Sequence, residues 1–226
     1  MVRANLEAVQ ERIGRACRRS GREPKDITLV AVTKKVSQER IIEALSCGVR
    51  QFGESYVQEA RLKIAGLVPK VEACWHMIGR LQSNKIGRAV EIFDVIQSVD
   101  SFKLFRAIDL RAFERGKVQK CFVEVKLSLE AAKTGLSETE LQDFFKLAKD
   151  FKNVRIGGIM MMSPYFDSPE SARPYFARGR KIFERLFLDK SGSPELSMGM
   201  SGDFEVAIEE GSTMVRIGRA IFGARA

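Results

Sequence analysis

Histidine is nearly missing from this chain: His76 is the single one among 226 residues. Cysteine is sparse and scattered (Cys17, Cys47, Cys74, Cys121), and no CxxC occurs. Ordinary zinc and iron–sulfur sites need clustered thiolates and imidazoles, so both are excluded. Each cysteine falls in a predicted helix or strand and reads as a small buried hydrophobe in a reducing cytoplasm. No apolar run approaches bilayer length, so no membrane span is expected, and residues 1–7 lack the apolar core of a signal peptide. Blocks of like charge and aromatic–basic stripes are also missing, which argues against a nucleic-acid groove. The net charge is nonetheless +9, from 38 Lys and Arg against 29 Asp and Glu. That excess draws small anions such as phosphate esters towards a cleft.

What the chain does contain is a repeating alternation of short apolar runs and helical periodicities. Residues 4–19 place Leu6, Val9, Ile13 and Ala16 at helical spacing and stop at Ser20-Gly21, a leading helix outside the repeat. The run Ile27-Thr28-Leu29-Val30-Ala31-Val32-Thr33-Lys34-Lys35 then reads as a strand buried on both faces. Further strands are expected at 49–53, 73–79, 93–99, 117–126, 154–162, 195–200 and 213–218. Helices are expected near 37–48, 54–65 and 84–91, after Asp100 or Ser101, behind the capping box Ser137-Glu138-Thr139-Glu140, after Ser168-Pro169-Glu170, and from Asp203 to Gly211. Pro174 either marks the first turn of its helix or bends it. Eight strands alternating with helices, and no composition break, predict one domain over residues 1–226, a (β/α)8 barrel of TIM type carrying an extra N-terminal helix.

In such a barrel the chemistry sits at the carboxyl ends of the strands, and phosphate commonly binds after strands seven and eight. The first strand delivers a lysine there. Thr28, Val30, Val32 and Lys34 share one face, so if that face points inward Lys34 is the amine in the mouth and Lys35 a surface residue. Such an amine either reaches solvent or, once it loses its proton, attacks a carbonyl and forms a Schiff base. Two later stretches suit an anion. Leu196-Ser197-Met198-Gly199-Met200-Ser201-Gly202-Asp203 offers the Ser201 hydroxyl and glycine-permitted N–H groups. In Arg216-Ile217-Gly218-Arg219 the N–H groups of Gly218 and Arg219 open a terminal helical turn. A lysine amine opposite a phosphate cup matches an aldehyde-bearing phosphate ester, with pyridoxal 5′-phosphate (PLP) the obvious case. Arg216 at the ring nitrogen would leave that nitrogen unprotonated, because a guanidinium accepts no proton.

The segments Ala31-Val32-Thr33-Lys34, Phe52-Gly53-Glu54, Trp75-His76-Met77-Ile78-Gly79-Arg80-Leu81-Gln82-Ser83-Asn84-Lys85, Met198-Gly199-Met200-Ser201-Gly202-Asp203 and Gly211-Ser212-Thr213 through Arg216-Ile217-Gly218 carry a resemblance. Over essentially its whole length the chain resembles the pyridoxal-phosphate homeostasis proteins (the YggS/PROSC family). The resemblance implies a barrel like the amino-terminal domain of alanine racemase, the fold type III PLP barrel. It implies a Schiff base on Lys34, phosphate around Ser201, Gly218 and Arg219, and Arg216 near the ring nitrogen. It further implies a cytoplasmic protein that binds and distributes PLP without established turnover, serving apo PLP-dependent enzymes. Two positions depart from the family: Ser55 stands where asparagine is usual, and Thr33 where serine is. A monomer is the expected state. A racemase-like enzyme using Lys34 alone is the alternative, although nothing follows the eighth strand to supply a second base and a wall against water. A barrel lyase acting on a phosphorylated sugar and a polyanion-binding protein are further rivals. His76, without a visible carboxylate partner, is either a structural hydrogen-bonder or a group in the mouth, and loop 82–85 is either a lid or a partner surface.

Overall fold

The computed structural model describes residues 1–67, 72–127, 134–187 and 192–224. Its centre is a closed barrel of eight parallel strands, each hydrogen-bonded to the next in sequence and the eighth to the first. The strands are β1 (Thr28–Val32), β2 (Gln51–Glu54), β3 (Cys74–Met77), β4 (Val95–Val99), β5 (Gln119–Val125), β6 (Val154–Met161), β7 (Glu195–Ser197) and β8 (Met214–Ile217). The helix α1 (Val2–Arg19) precedes them. Between and after the strands run α2 (Gln38–Ser46), α3 (Val57–Gly66), α4 (Ile86–Ile92), α5 (Phe102–Phe113), α6 (Glu138–Ala148), α7 (Arg173–Leu186), α8 (Phe204–Glu209) and the one-turn α9 (Arg219–Phe222). This is the (β/α)8 barrel with a leading helix that the alternation predicts.

Strand alternation divides the residues between two cores. One face of the strands supplies Val30, Val95, Phe122, Met160 and Met214, a separate cluster inside the barrel. The other face, with Ala31, Ile96, Cys121, Ile159, Leu196 and Val215, joins the apolar stripes of the helices in the larger layer outside. Two residues further along come Val32, Gln97, Glu124 and Arg216 on four of these strands and Met162 just past the end of the fifth, and of these Val32, Met162 and Arg216 line the cavity at the carboxyl end. The interior therefore changes from apolar to polar as the strands approach their ends.

Several boundaries differ from expectation. β1 stops at Val32, and Lys34 and Lys35 form a turn beyond it. Glu54 belongs to β2, and the next helix begins only at Val57. β7 keeps three residues because Gly199 turns the chain away, with φ +93°. A Cβ there would lie 2.6 Å from the Ala207 Cβ and 2.9 Å from the Phe204 Cα, so glycine is required both by conformation and by the approach of α8. Pro174 sits in the first turn of α7, where its missing N–H leaves nothing unpaired. The capping box is present: Ser137 accepts from the Glu140 N–H and Glu140 from the Ser137 N–H. Ser101 rather than Asp100 caps α5, accepting from the Leu104 N–H.

Candidate functional site

The carboxyl ends of the strands surround a cavity of about 450 Å³, a size that suits a small organic ligand. Lys34, Ser201, Arg216, Gly218 and Arg219 all line it. The first strand and the last two, distant in sequence, thus meet in one pocket, as closure of the barrel between β8 and β1 requires. Lys34 is half-buried, whereas Lys35 is exposed and does not belong to the lining. Alternation puts Lys34 at the mouth and Lys35 at the surface, as the structure does, even though both lysines lie past the strand.

The anion-suited part of the pocket is built by the segments after β7 and β8. The backbone N–H groups of Gly218 and Ala220 both point at the Ser201 hydroxyl oxygen, each at 3.3 Å. The donors that converge on Ser201 are those of Gly218 and Ala220, while Gly218 and Arg219 both line the pocket. Asp203 steadies this segment by accepting from the Met200 N–H at 2.7 Å and the Ser163 hydroxyl at 2.9 Å. Gly199, expected to present an N–H to an anion, instead serves the packing of α8 and lies outside the lining; Gly202 does line the pocket.

Arg216 is almost wholly buried. It donates through Nη1 to the Ser197 hydroxyl at 2.6 Å and through Nη2 to the Met161 carbonyl at 2.9 Å. Burial brings its pKa down to about 10, against the pull of Asp203 and Glu124, so the guanidinium stays charged at neutral pH. The two contacts fix the plane of the group and leave further N–H donors for whatever enters the pocket.

Behind Arg216 a chain of side chains crosses the barrel interior. Ser197 Oγ donates to Gln97 Oε1 at 2.7 Å, Gln97 Nε2 meets His76 Nδ1 at 2.8 Å, and His76 Nε2 meets Gln51 Oε1 at 2.7 Å. Each link allows one direction. The Gln97 amide must donate to Nδ1, so the proton of the imidazole sits on Nε2 and is given to Gln51. His76 is buried, and desolvation lowers its pKa to about 3, with Lys120 adding to the effect. It is a neutral structural hydrogen-bonder below the mouth, not a lining residue.

Part of the lining escapes sequence reasoning. Met162, Ser163, Pro164, Tyr165, Phe166 and Asp167 form one wall, and no motif marks them; their position just after β6 was the available signal. Ser55 and Ile78 complete the opposite side. At Gly79 a Cβ would lie 2.4 Å from the Ser55 carbonyl oxygen, so the segments after β2 and β3 are pressed together there. Loop 82–85 is away from this pocket: Gln82 and Ser83 line a separate cleft against Ser101, Lys103 and Arg111. Among the described residues no group of His, Cys, Asp and Glu is placed to hold a metal ion. No described helix is long and apolar enough to cross a membrane.

A (β/α)8 barrel with a leading helix, an amine after its first strand and an anion-suited segment after its last two defines a class, and the comparisons agree. The family model of the alanine racemase N-terminal domain matches residues 4–226. Alanine racemase of Clostridium difficile superposes with a TM-score of 0.74 at 14% identity, covering 99% of this chain and 56% of that one, a likeness of fold. Within that class the relatives are narrower. The chain is 40% identical over 221 residues to the pyridoxal phosphate homeostasis protein of Aquifex aeolicus, covering 97% of this chain and 96% of that protein. It is 37% identical over 233 residues to the Escherichia coli protein of the same name, covering 98% and 95%. The structure of PipY from Synechococcus elongatus with PLP bound matches with a TM-score of 0.86 at 33% identity, covering 99% of this chain and all of that one. The chain belongs to the pyridoxal phosphate homeostasis protein family.

Proposed function

We propose that residues 1–226 act as one domain that holds pyridoxal 5′-phosphate and takes part in its homeostasis, buffering it and passing it to apo PLP-dependent enzymes. The observation that carries this reading is the single cavity into which Lys34, Ser201, Arg216, Gly218 and Arg219 all open. The donor set fits the group. Lys34 supplies the amine, and the Ser201 hydroxyl, whose oxygen accepts from the Gly218 and Ala220 N–H groups and whose proton is left to give, supplies a donor for a phosphate beside Gly218. Arg219 adds a cation at the same end. Arg216 offers N–H donors to a ring nitrogen and no proton, which keeps the ring a weak electron sink and favours storage over carbanion chemistry. When bound, PLP supplies an aldehyde that a neutral lysine amine captures reversibly with loss of water.

The homeostasis names of the relatives and the PLP in the PipY structure support this reading over a racemase. Free, separated cysteines among the described residues support a cytoplasmic setting, and we take the protein to act as a monomer, without membrane or nucleic acid.

Borohydride reduction followed by peptide mass spectrometry tests the assignment. A pyridoxyl mass is expected on Lys34, together with a near-visible absorbance that Lys34→Ala abolishes. An unlabelled protein, or a label on Lys35, refutes it. Amino-acid racemisation at ordinary enzymatic rates, lost in Lys34→Ala, would return the case to the enzyme.

A further inference from the structure

The last bond of the first strand to the sheet is the one from the Thr33 N–H to the Gly53 carbonyl of β2 at 2.9 Å, and beyond it no strand pairing fixes where Lys34 stands. Its neighbours on both sides are instead tied to one ion cluster. The Thr33 hydroxyl donates to Glu54 Oε1 at 2.7 Å, and the Thr33 carbonyl accepts from Lys63 Nζ at 2.5 Å. The Lys35 N–H donates to Glu59 Oε1. Lys63 Nζ closes the circle, reaching Glu54 Oε1 at 2.8 Å and Glu59 Oε1 at 2.6 Å, so its three donors all have acceptors. None of Glu54, Glu59 and Lys63 lines the cavity; they hold the turn from behind.

Stability is a weak account of this cluster. Glu54 is fully buried and the Lys63 side chain is 9% exposed. Burial raises the Glu54 carboxyl above its ordinary range, outweighing the bonds from Lys63 and Thr33. Apolar residues of the same volume commonly do as well or better in such a place. What the ions accomplish that apolar groups cannot is to fix backbone polar atoms on either side of one residue. Lys35 is meanwhile held at φ +58°, a conformation few lysines adopt.

We propose that Lys63 is a positioning residue for Lys34: by bridging Glu54 and Glu59 it locks the turn 33–35 and sets the depth at which the Lys34 amine enters the cavity. The inference rests on the reading of Lys34 as the aldehyde-capturing amine. Lys63→Met alone strands a buried carboxylate and can unfold the chain, so it is paired with Glu54→Gln/Lys63→Met, which leaves no fully buried charge and leaves the partly exposed Glu59 its bond from the Lys35 N–H, and with Glu59→Ala on the partly exposed side.

The readout is competitive acetylation of lysines with trace acetic anhydride across a pH series, quantified by peptide, with Lys35 as internal reference. Folding of each variant is checked by circular dichroism. In the double variant the rate of Lys34 labelling is expected to move at least threefold towards that of Lys35. Glu59→Ala moves it part of the way, and trapping of pyridoxal phosphate by borohydride slows about tenfold. Lys34 profiles that superimpose on the unsubstituted protein in folded variants overturn the proposal. Absence of a pyridoxyl mass on Lys34 in the unsubstituted protein overturns the cofactor reading alone, because acetylation needs no cofactor.

Discussion

At the scale of single residues, His76 gives the sharpest electrostatic prediction. Its pKa is lowered to about 3 in the folded chain, against about 6.5 in the unfolded one. Between those values the unfolded state binds a proton that the native state does not, so stability falls as pH falls, by about 1.4 kcal/mol per unit in that window. Glu54 and Glu124, both raised by burial, act in the opposite sense. The contribution of His76 is therefore read as the difference between the chain and His76→Asn in denaturant titrations at pH 7 and pH 5, with the unsubstituted chain losing more. As the single histidine, it also gives one pair of ring nitrogen signals. At pH 5 these are expected to be those of a neutral ring protonated at Nε2; an imidazolium there refutes the orientation of the chain from Arg216 to Gln51. Ser201→Ala makes a second test. A hydrogen bond to a charged group contributes about 1.5–3 kcal/mol, so pyridoxal phosphate should bind roughly tenfold or more weakly, while phosphate-free pyridoxal is unaffected. Equal losses for both would mean that Ser201 does not meet the phosphate.

Elements were legible in the sequence to the extent that their signals are local. The capping box at Ser137 and Glu140 needs four residues and no tertiary context, and it is there. Ser137→Ala should cost about 1 kcal/mol, seen as a lower denaturant midpoint with an unchanged slope. An unchanged midpoint would show that α6 is held by Leu141 and Phe144 alone. Strand ends were less legible, because a run such as Val30-Ala31-Val32-Thr33 does not reveal where its neighbours stop pairing. β7 could end after three residues only because α8 packs on Gly199. The five pocket residues were legible for a different reason: barrel topology brings the ends of β1, β7 and β8 together whatever the loops do. The cluster of Thr33, Glu54, Glu59 and Lys63 was not, since only Glu59 and Lys63 share a helical spacing, i and i+4 on α3, and the links from that pair to the strand residue Glu54 and the turn residue Thr33 follow no period. Glu54 stands out only within Phe52-Gly53-Glu54, and Lys63 belongs to no motif. The wall from Met162 to Asp167 was hidden because it contains no motif, only position.

At the scale of the molecule, the leading helix, which sequence alone left without a purpose, bears on the site. α1 buries Val2, Leu6, Val9, Ile13, Ala16 and Cys17 and packs against α2, α8 and α9. Polar bonds pin the same face. Asn5 donates to the Ile221 carbonyl at 2.9 Å, Arg12 pairs with Glu205 at 2.6 Å, and Arg19 pairs with Glu209 at 2.6 Å. Arg22, just beyond the helix, donates to the carbonyls of Ile208 and Ser212. α8 follows the segment of Ser201, and Gly218 is the N-cap of α9, so the helix braces the two elements that frame the anion-suited part of the mouth. Lys34 is held separately, from α3. Leu6→Ala, at a site 2% exposed, should cost about 2–5 kcal/mol, and the weakening should not spread evenly. Sub-global opening follows packed units, so amide exchange is expected to accelerate together in α1, α8 and α9, while amides of β4 and β5 keep their protection. Phosphate binding should loosen with the first group, yet acetylation of Lys34 should keep its profile. Protection lost from α1 alone would make it an appendage, and protection lost from every strand at once would make the barrel a single cooperative unit in which no element braces another.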